Sequence, residues 1–198
     1  SYNGSSWTQL GGDIDGEAAN DESGYSVSLS SDGSIVAIGA PANDGNGSNS
    51  GHVRVYQRDE SNTTVEPIGW TQLGGDIDGE AIDDGSGRVV SLSSNGSVVA
   101  ISAIRNDGNG SNSGHARVYQ RNESNTTVEP IGWTQLGSDI DGEAIDDLSG
   151  WSLSLSSDGS VVAIGSDAND GNGTSSGHVR VYRYIGNSWT QLGSDIDG

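Results

Sequence analysis

The chain has 198 residues, 28 acidic side chains against 8 basic ones, and a formal charge of −20. Every basic residue is Arg, and a surface of that sign repels phosphate backbones and anionic lipid, which argues against nucleic-acid and membrane-surface partners. No apolar run approaches the roughly 20 residues that span a bilayer as a helix, and no charged-then-apolar leader precedes Ser1, so any secretion signal is expected to be removed or to lie outside this chain.

A hydrophobic content of 31% with so much charge borders on the composition of disordered chains. Order is expected nonetheless, because the apolar residues recur in register, in short alternating runs rich in β-branched side chains. The first repeated words are Trp7-Thr8-Gln9-Leu10-Gly11, which return at Trp70, Trp133 and Trp189. Successive intervals are 63 residues (7 to 70, 70 to 133) and then 56 (133 to 189). The shortfall comes from an insert, Gln57 to Gly69 and its near copy Gln120 to Gly132, which the third unit replaces with Arg183 to Ser188. Because the Trp run closes each unit, Trp7, Thr8, Gln9 and Leu10 form an orphan fourth strand, expected to mediate assembly.

An acidic run comes after each Trp run. Asp13, Asp15, Glu17 and Asp21 place carboxylates at relative positions 1, 3, 5 and 9; Asp76, Asp78, Glu80 and Asp84 repeat them, as do Asp139, Asp141, Glu143 and Asp147. Such oxygens suit a calcium ion wrapped by a loop, but Gly stands at position 4 instead of position 6, where an EF-hand-like loop turns sharply. The first reading is a crossover between units whose carboxylates accept backbone hydrogen bonds. Calcium is the alternative, and no cofactor is required.

Within a unit the alternation predicts four strands and no helix: Tyr25 to Ser30, Ser34 to Ala40, His52 to Tyr56 and Trp70 to Gly74. Ser31-Asp32-Gly33 is a tight hairpin signal, and Asp44 to Gly51 is a longer polar loop. Four antiparallel strands per unit of about 60 residues is the arithmetic of a β-propeller blade. The expected fold is therefore all-β, with three blades. Residues 1–24 form the orphan strand and acidic crossover, 25–87 and 88–150 the first two blades with their crossovers, and 151–198 a third blade ending in its fourth strand. The outer faces of the end blades are expected to leave Val27, Val36, Val162 and Val181 short of cover.

His52, Arg54 and Tyr56 lie at strand spacing on one face, and His115, Arg117, Tyr119 and His178, Arg180, Tyr182 repeat them. Catalysis needs one asymmetric constellation of nucleophile, base and orienter, so a threefold ladder reads as packing and the chain as no enzyme. The repeated Trp residues read as structural plugs before sugar platforms. Asn-X-Ser/Thr sequons stand at Asn3, Asn46, Asn62, Asn95, Asn109, Asn122, Asn125 and Asn172, several at equivalent positions in polar loops, which points to an N-glycosylated extracellular or cell-surface protein.

Residues 23 to 57 resemble an FG-GAP repeat, the blade unit of integrin α-subunit propellers. Ser23-Gly24-Tyr25 stands at the Phe-Gly of that family and Gly39-Ala40-Pro41 at its Gly-Ala-Pro. The second unit departs with Ile101-Ser-Ala-Ile104 and the third with Ile164-Gly-Ser-Asp167. Integrin-type blades often carry an acidic calcium loop between the first two strands; only Ser-Asp-Gly or Ser-Asn-Gly stands there in this chain, so that site is not carried over. The orphan strand and the uncovered end blades are assembly signals, and the expected function is that of a structural or adhesive repeat protein whose partners are copies of itself or adjoining repeats, assembled as an array, ring or filament. A calcium- or carbohydrate-binding module of a larger receptor or enzyme is the alternative.

Overall fold

Where the sequence alternates apolar with small polar residues, the backbone is extended. The computed structural model describes residues 4–198, and across them fifteen strands form and no helix. The first sheet takes β1 (Ser26–Leu29), β2 (Ile35–Ala40), β3 (His52–Arg58) and β4 (Trp70–Gln72) in that spatial order, all antiparallel. A two-residue strand, β5 (Ile77–Asp78), also pairs with β3. The second sheet repeats this with β6 (Val90–Leu92), β7 (Val98–Ala103), β8 (His115–Arg121), β9 (Trp133–Gln135) and β10 (Ile140–Asp141). The third uses β11 (Ser152–Leu155), β12 (Val161–Ser166), β13 (His178–Ile185), β14 (Ser188–Gln191) and β15 (Ile196–Asp197).

The fourth row of each sheet is thus a broken strand. In the first sheet Gln72 and Trp70 face Tyr56 and Arg58, whereas Asp78 and Ile77 face His52 and Val53. The spacing of the acidic run suggested that all of it lies in the crossover. Ile77 and Ile140 instead act as pleat residues buried in the fourth row, and only the residues after Asp78 or Asp141 cross to the next unit. The break itself packs tightly: Gly74 has φ 76°, and a Cβ there would stand 2.3 Å from the carbonyl oxygen of Ile131 in the next unit.

Each sheet has two apolar faces. Ile35, Ala37, Val53, Val55 and Ile77 of the first sheet pack against Val90, Leu92, Val99, Ile101 and Trp133 of the second. The second sheet's other face, with Val98, Ala100, Val118 and Ile140, meets Val162, Ile164, Leu153 and Leu155 of the third. The expectation for Val162 is corrected here: it faces the second sheet and is fully buried, because its neighbour Val161 takes the outward position. Val27 is 64% exposed where its equivalent Val90 is 6%, and Ile196 is 61% exposed where Ile140 is 4%.

Residues before β1 cover part of the first sheet's open face. Leu10 and Ile14 pack on Ile38, Tyr56 and Trp70, in the role that Leu73 and Ile77 play one unit later. No strand runs through Trp7, Thr8, Gln9 and Leu10; Trp7 makes a single bridge and is 82% exposed.

Candidate functional site at the unit junctions

The third strand of every unit begins with His and carries Arg and Tyr two and four residues on, so all three point at the preceding unit. Arg54 Nη2 donates to the backbone carbonyl of Asp15 at 2.7 Å, Arg117 to that of Asp78 at 2.8 Å and Arg180 to that of Asp141 at 2.7 Å. Each guanidinium lies over its own Tyr ring at 5.6–5.7 Å, a cation–π contact in a buried setting. Burial holds the Tyr119 hydroxyl protonated to about 12, against the opposing pull of Arg117.

The His sits between two carboxylates drawn from different runs. Nδ1 of His52 is 3.7 Å from Glu17 Oε2 and 4.0 Å from Asp76 Oδ2. His115 stands 3.8 Å from Glu80 and 3.9 Å from Asp139, and His178 3.8 Å from Glu143 and 3.9 Å from Asp195. These separations exceed hydrogen-bond length. The first two are not ion pairs at neutral pH either: burial lowers the His52 pKa against the pull of Asp76 and Glu17, and burial with Arg117 lowers that of His115 to about 4 against the pull of Asp139. Nδ1 of His115 is buried without a hydrogen-bond partner.

The other carboxylate oxygens are tied back. Gln72 Nε2 donates to Asp76 Oδ1, Gln135 to Asp139 and Gln191 to Asp195, each at 2.6 Å. Glu Oε1 meets the Arg Nη1 at 3.8, 3.4 and 3.5 Å in successive junctions. The remaining Oδ2 and Oε2 face the imidazole, and the three ligand atoms of each group lie within 4.8 Å of one another.

The structure therefore distributes the carboxylates of one acidic run among different partners. Asp13 accepts from Gln9, and the backbone of Asp15 receives Arg54. Asp21 is buried, accepting from the Ala18 amide and from Asn43 Nδ2, as Asp84 does from Ala81 and Asn106 and Asp147 from Ala144 and Asn169. What converges is Glu17 with Asp76, Glu80 with Asp139, and Glu143 with Asp195. Asp195 belongs to a fourth run, near the end of the chain, that the spacing argument did not single out.

The sequon amides are mostly committed. Asn46 Nδ2 donates to the carbonyls of Gly79 and Glu80, Asn109 to those of Gly142 and Glu143, and Asn172 to that of Gly198. Asn62 and Asn125 each donate to three carbonyls in and just beyond their own insert, and Asn122 donates to Thr134. Asn95 is exposed and uses its oxygen to accept from Ser93 and Ser97. Asn3 lies outside the described residues. Trp70, Trp133 and Trp189 donate their indole N–H to the carbonyls of Leu10, Leu73 and Leu136, one unit back. A groove of about 870 Å³ runs beside the second junction, lined by Arg117, Tyr119, Asn125, Trp133 and Gln135 among others. One of about 670 Å³ occupies the same place beside the first.

Residues 14–56 match the FG-GAP repeat family. That segment is an FG-GAP repeat. The matched unit and the two that follow it share one strand order, so the departures at Ser102 and Ser166 leave the blade intact. No curated protein matches the chain. Among solved structures, a candidate 6-phosphogluconolactonase from Bacteroides uniformis superposes with a TM-score of 0.54 at 14% identity, over 87% of this chain and 40% of that one. Saccharomyces cerevisiae Sqt1 gives 0.50 at 14% identity, over 96% and 39%. Such identities speak for the fold alone, that of a β-propeller, and the chain spans about two fifths of either structure.

Proposed function

We propose that the chain is a non-enzymatic structural or adhesive segment of an extracellular β-propeller protein, working by packing unit against unit into an array, ring or filament. The supporting observation is the pair of open faces: Val27 and Leu29 at one end, Val179 and Ile196 at the other, occupy positions that the middle unit buries against its neighbours. A contact between unlike faces is heterologous and so propagates, giving a ring if it closes and a filament if it does not. The partners are copies of the chain or adjoining repeats of the same protein. The threefold identity of the buried His–Arg–Tyr ladder supports the absence of catalysis. Among the described sequons Asn95 is the favoured glycan site, since its exposed amide nitrogen needs no rearrangement to be modified.

Sedimentation equilibrium of the 198-residue chain tests this reading. Mass is expected to climb with concentration, whereas a stable monomer from micromolar to millimolar concentration would overturn it. The groove beside each of the first two junctions, about 870 Å³ at the second, supports a second reading, a carbohydrate-binding module. Saturable sugar binding by unglycosylated chain would favour it over the first.

A further inference from the structure

The second junction brings together one imidazole nitrogen and two carboxylate oxygens that nothing else claims. His115 Nδ1 is buried and unpartnered, an arrangement that native proteins rarely leave unexplained. It points between Glu80 Oε2 at 3.8 Å and Asp139 Oδ2 at 3.9 Å. Ligands bound to one first-row ion at about 2.0–2.2 Å stand roughly 3–4 Å from each other, so a slight contraction of this triangle would seat a cation. The outer atoms are already fixed: Gln135 holds Asp139 Oδ1, and Arg117 lies against Glu80 Oε1. Partners of that kind orient metal ligands and keep the coordinating lone pairs turned inward.

We propose that each Glu–His–Asp junction binds one divalent transition-metal ion through His Nδ1 and one oxygen from each carboxylate. The imidazole sets the class of metal. Calcium prefers oxygen alone, while a mixed nitrogen and carboxylate set suits zinc, manganese or cobalt. Two carboxylates balance the charge of the ion, and the open side toward solvent, where the Glu side chain is 43–46% exposed, leaves room for water as a further ligand. The ligands come from two units: Glu80 comes after the first sheet, whereas His115 and Asp139 belong to the second. The ion therefore staples neighbouring units at the second and third clusters, and the first cluster, with the same residue types, ties the residues before β1 to the first sheet. This inference is independent of whether the outer faces assemble.

Chelator-treated chain dialysed against micromolar zinc and assayed by elemental analysis tests it. Three zinc ions per chain are expected, with a higher melting temperature, and cobalt in place of zinc should give a visible absorption band. His115→Gln should lower the count from three to two, and H52Q/H115Q/H178Q should abolish it and the cobalt band. Glu80→Gln provides a second test at a half-exposed position: it should also remove one ion while circular dichroism stays unchanged. A zinc content near zero in the parent chain would overturn the proposal, leaving a water molecule as the bridge. So would a stoichiometry that survives the triple His replacement, since the metal would then sit on the acidic surface.

Discussion

At the scale of single residues, the interior of each junction is polar, and its titration behaviour comes from burial. Tyr119 loses its proton near pH 10 in an unfolded chain but only at about 12 in the fold. A raised pKa means that its contribution is fully present below pH 10 and is lost as the pH rises through about 12. The difference amounts to about 2–3 kcal/mol. Denaturant titrations between pH 9 and 12 should therefore show a steeper fall in stability for the parent than for Tyr119→Phe; identical slopes would disprove the assignment. The Trp residues give a second measurement. Trp133 is buried and donates to Leu73, so Trp133→Ala should cost about 3–5 kcal/mol. Trp7→Ala, at an exposed position, should change stability by no more than about 0.5 kcal/mol in the same assay. The ladder of His, Arg and Tyr was legible from period-two spacing. The Glu–His–Asp group was not, because the Glu lies 35 residues before the His (17 to 52) and the Asp 24 residues after it (52 to 76), or 17 in the third unit (178 to 195), and only tertiary packing unites them. The available signal was that all three recur with the repeat.

At the scale of elements, alternation located the four main strands of the first unit to within two residues, whereas β13 of the third runs on to Ile185, three residues past the position that matches Tyr56. It missed β5, β10 and β15, since two residues are too few to show a period and Gly and Asp surround them. The departure at Ser102 has a local cause: its hydroxyl accepts the Val89 amide, and the first strand of that unit begins at Val90, one position later than β1 does in its own unit. Broken fourth rows make a sharper test. Gly74 and Gly137 share a left-handed backbone, φ 76° and 72°, so Ala at either should cost about 1–2 kcal/mol in strain. At Gly74 the new methyl would also meet the Ile131 carbonyl at 2.3 Å, whereas at Gly137 the nearest atom is the Trp189 ring at 3.1 Å because the short third hairpin stands farther off. Thermal melts should show Gly74→Ala losing about 1–3 kcal/mol more than Gly137→Ala. Equal losses would mean that the long insert does not press on the break.

At the scale of the molecule, the order of faces is a direction. The middle sheet receives the preceding unit on one face and the next unit on the other, so the leading face of the first sheet and the trailing face of the third are unlike. Val27, Leu29, Val179 and Ile196 are part-exposed, and covering them would add a favourable apolar contribution wherever the ends meet. Blocking the ends separately distinguishes head-to-tail contact from symmetric pairing. A chain with Val27→Asp and Leu29→Asp keeps only its trailing face, and one with Val179→Asp and Ile196→Asp keeps only its leading face. Each should sediment as a monomer alone. Mixed in equal amounts, they should form a one-to-one dimer and nothing larger, because both remaining ends carry buried-charge penalties against further growth. Should either variant dimerise by itself and the mixture add no new species, like faces would be pairing, and the directional contact seen between the internal units would not extend to the ends.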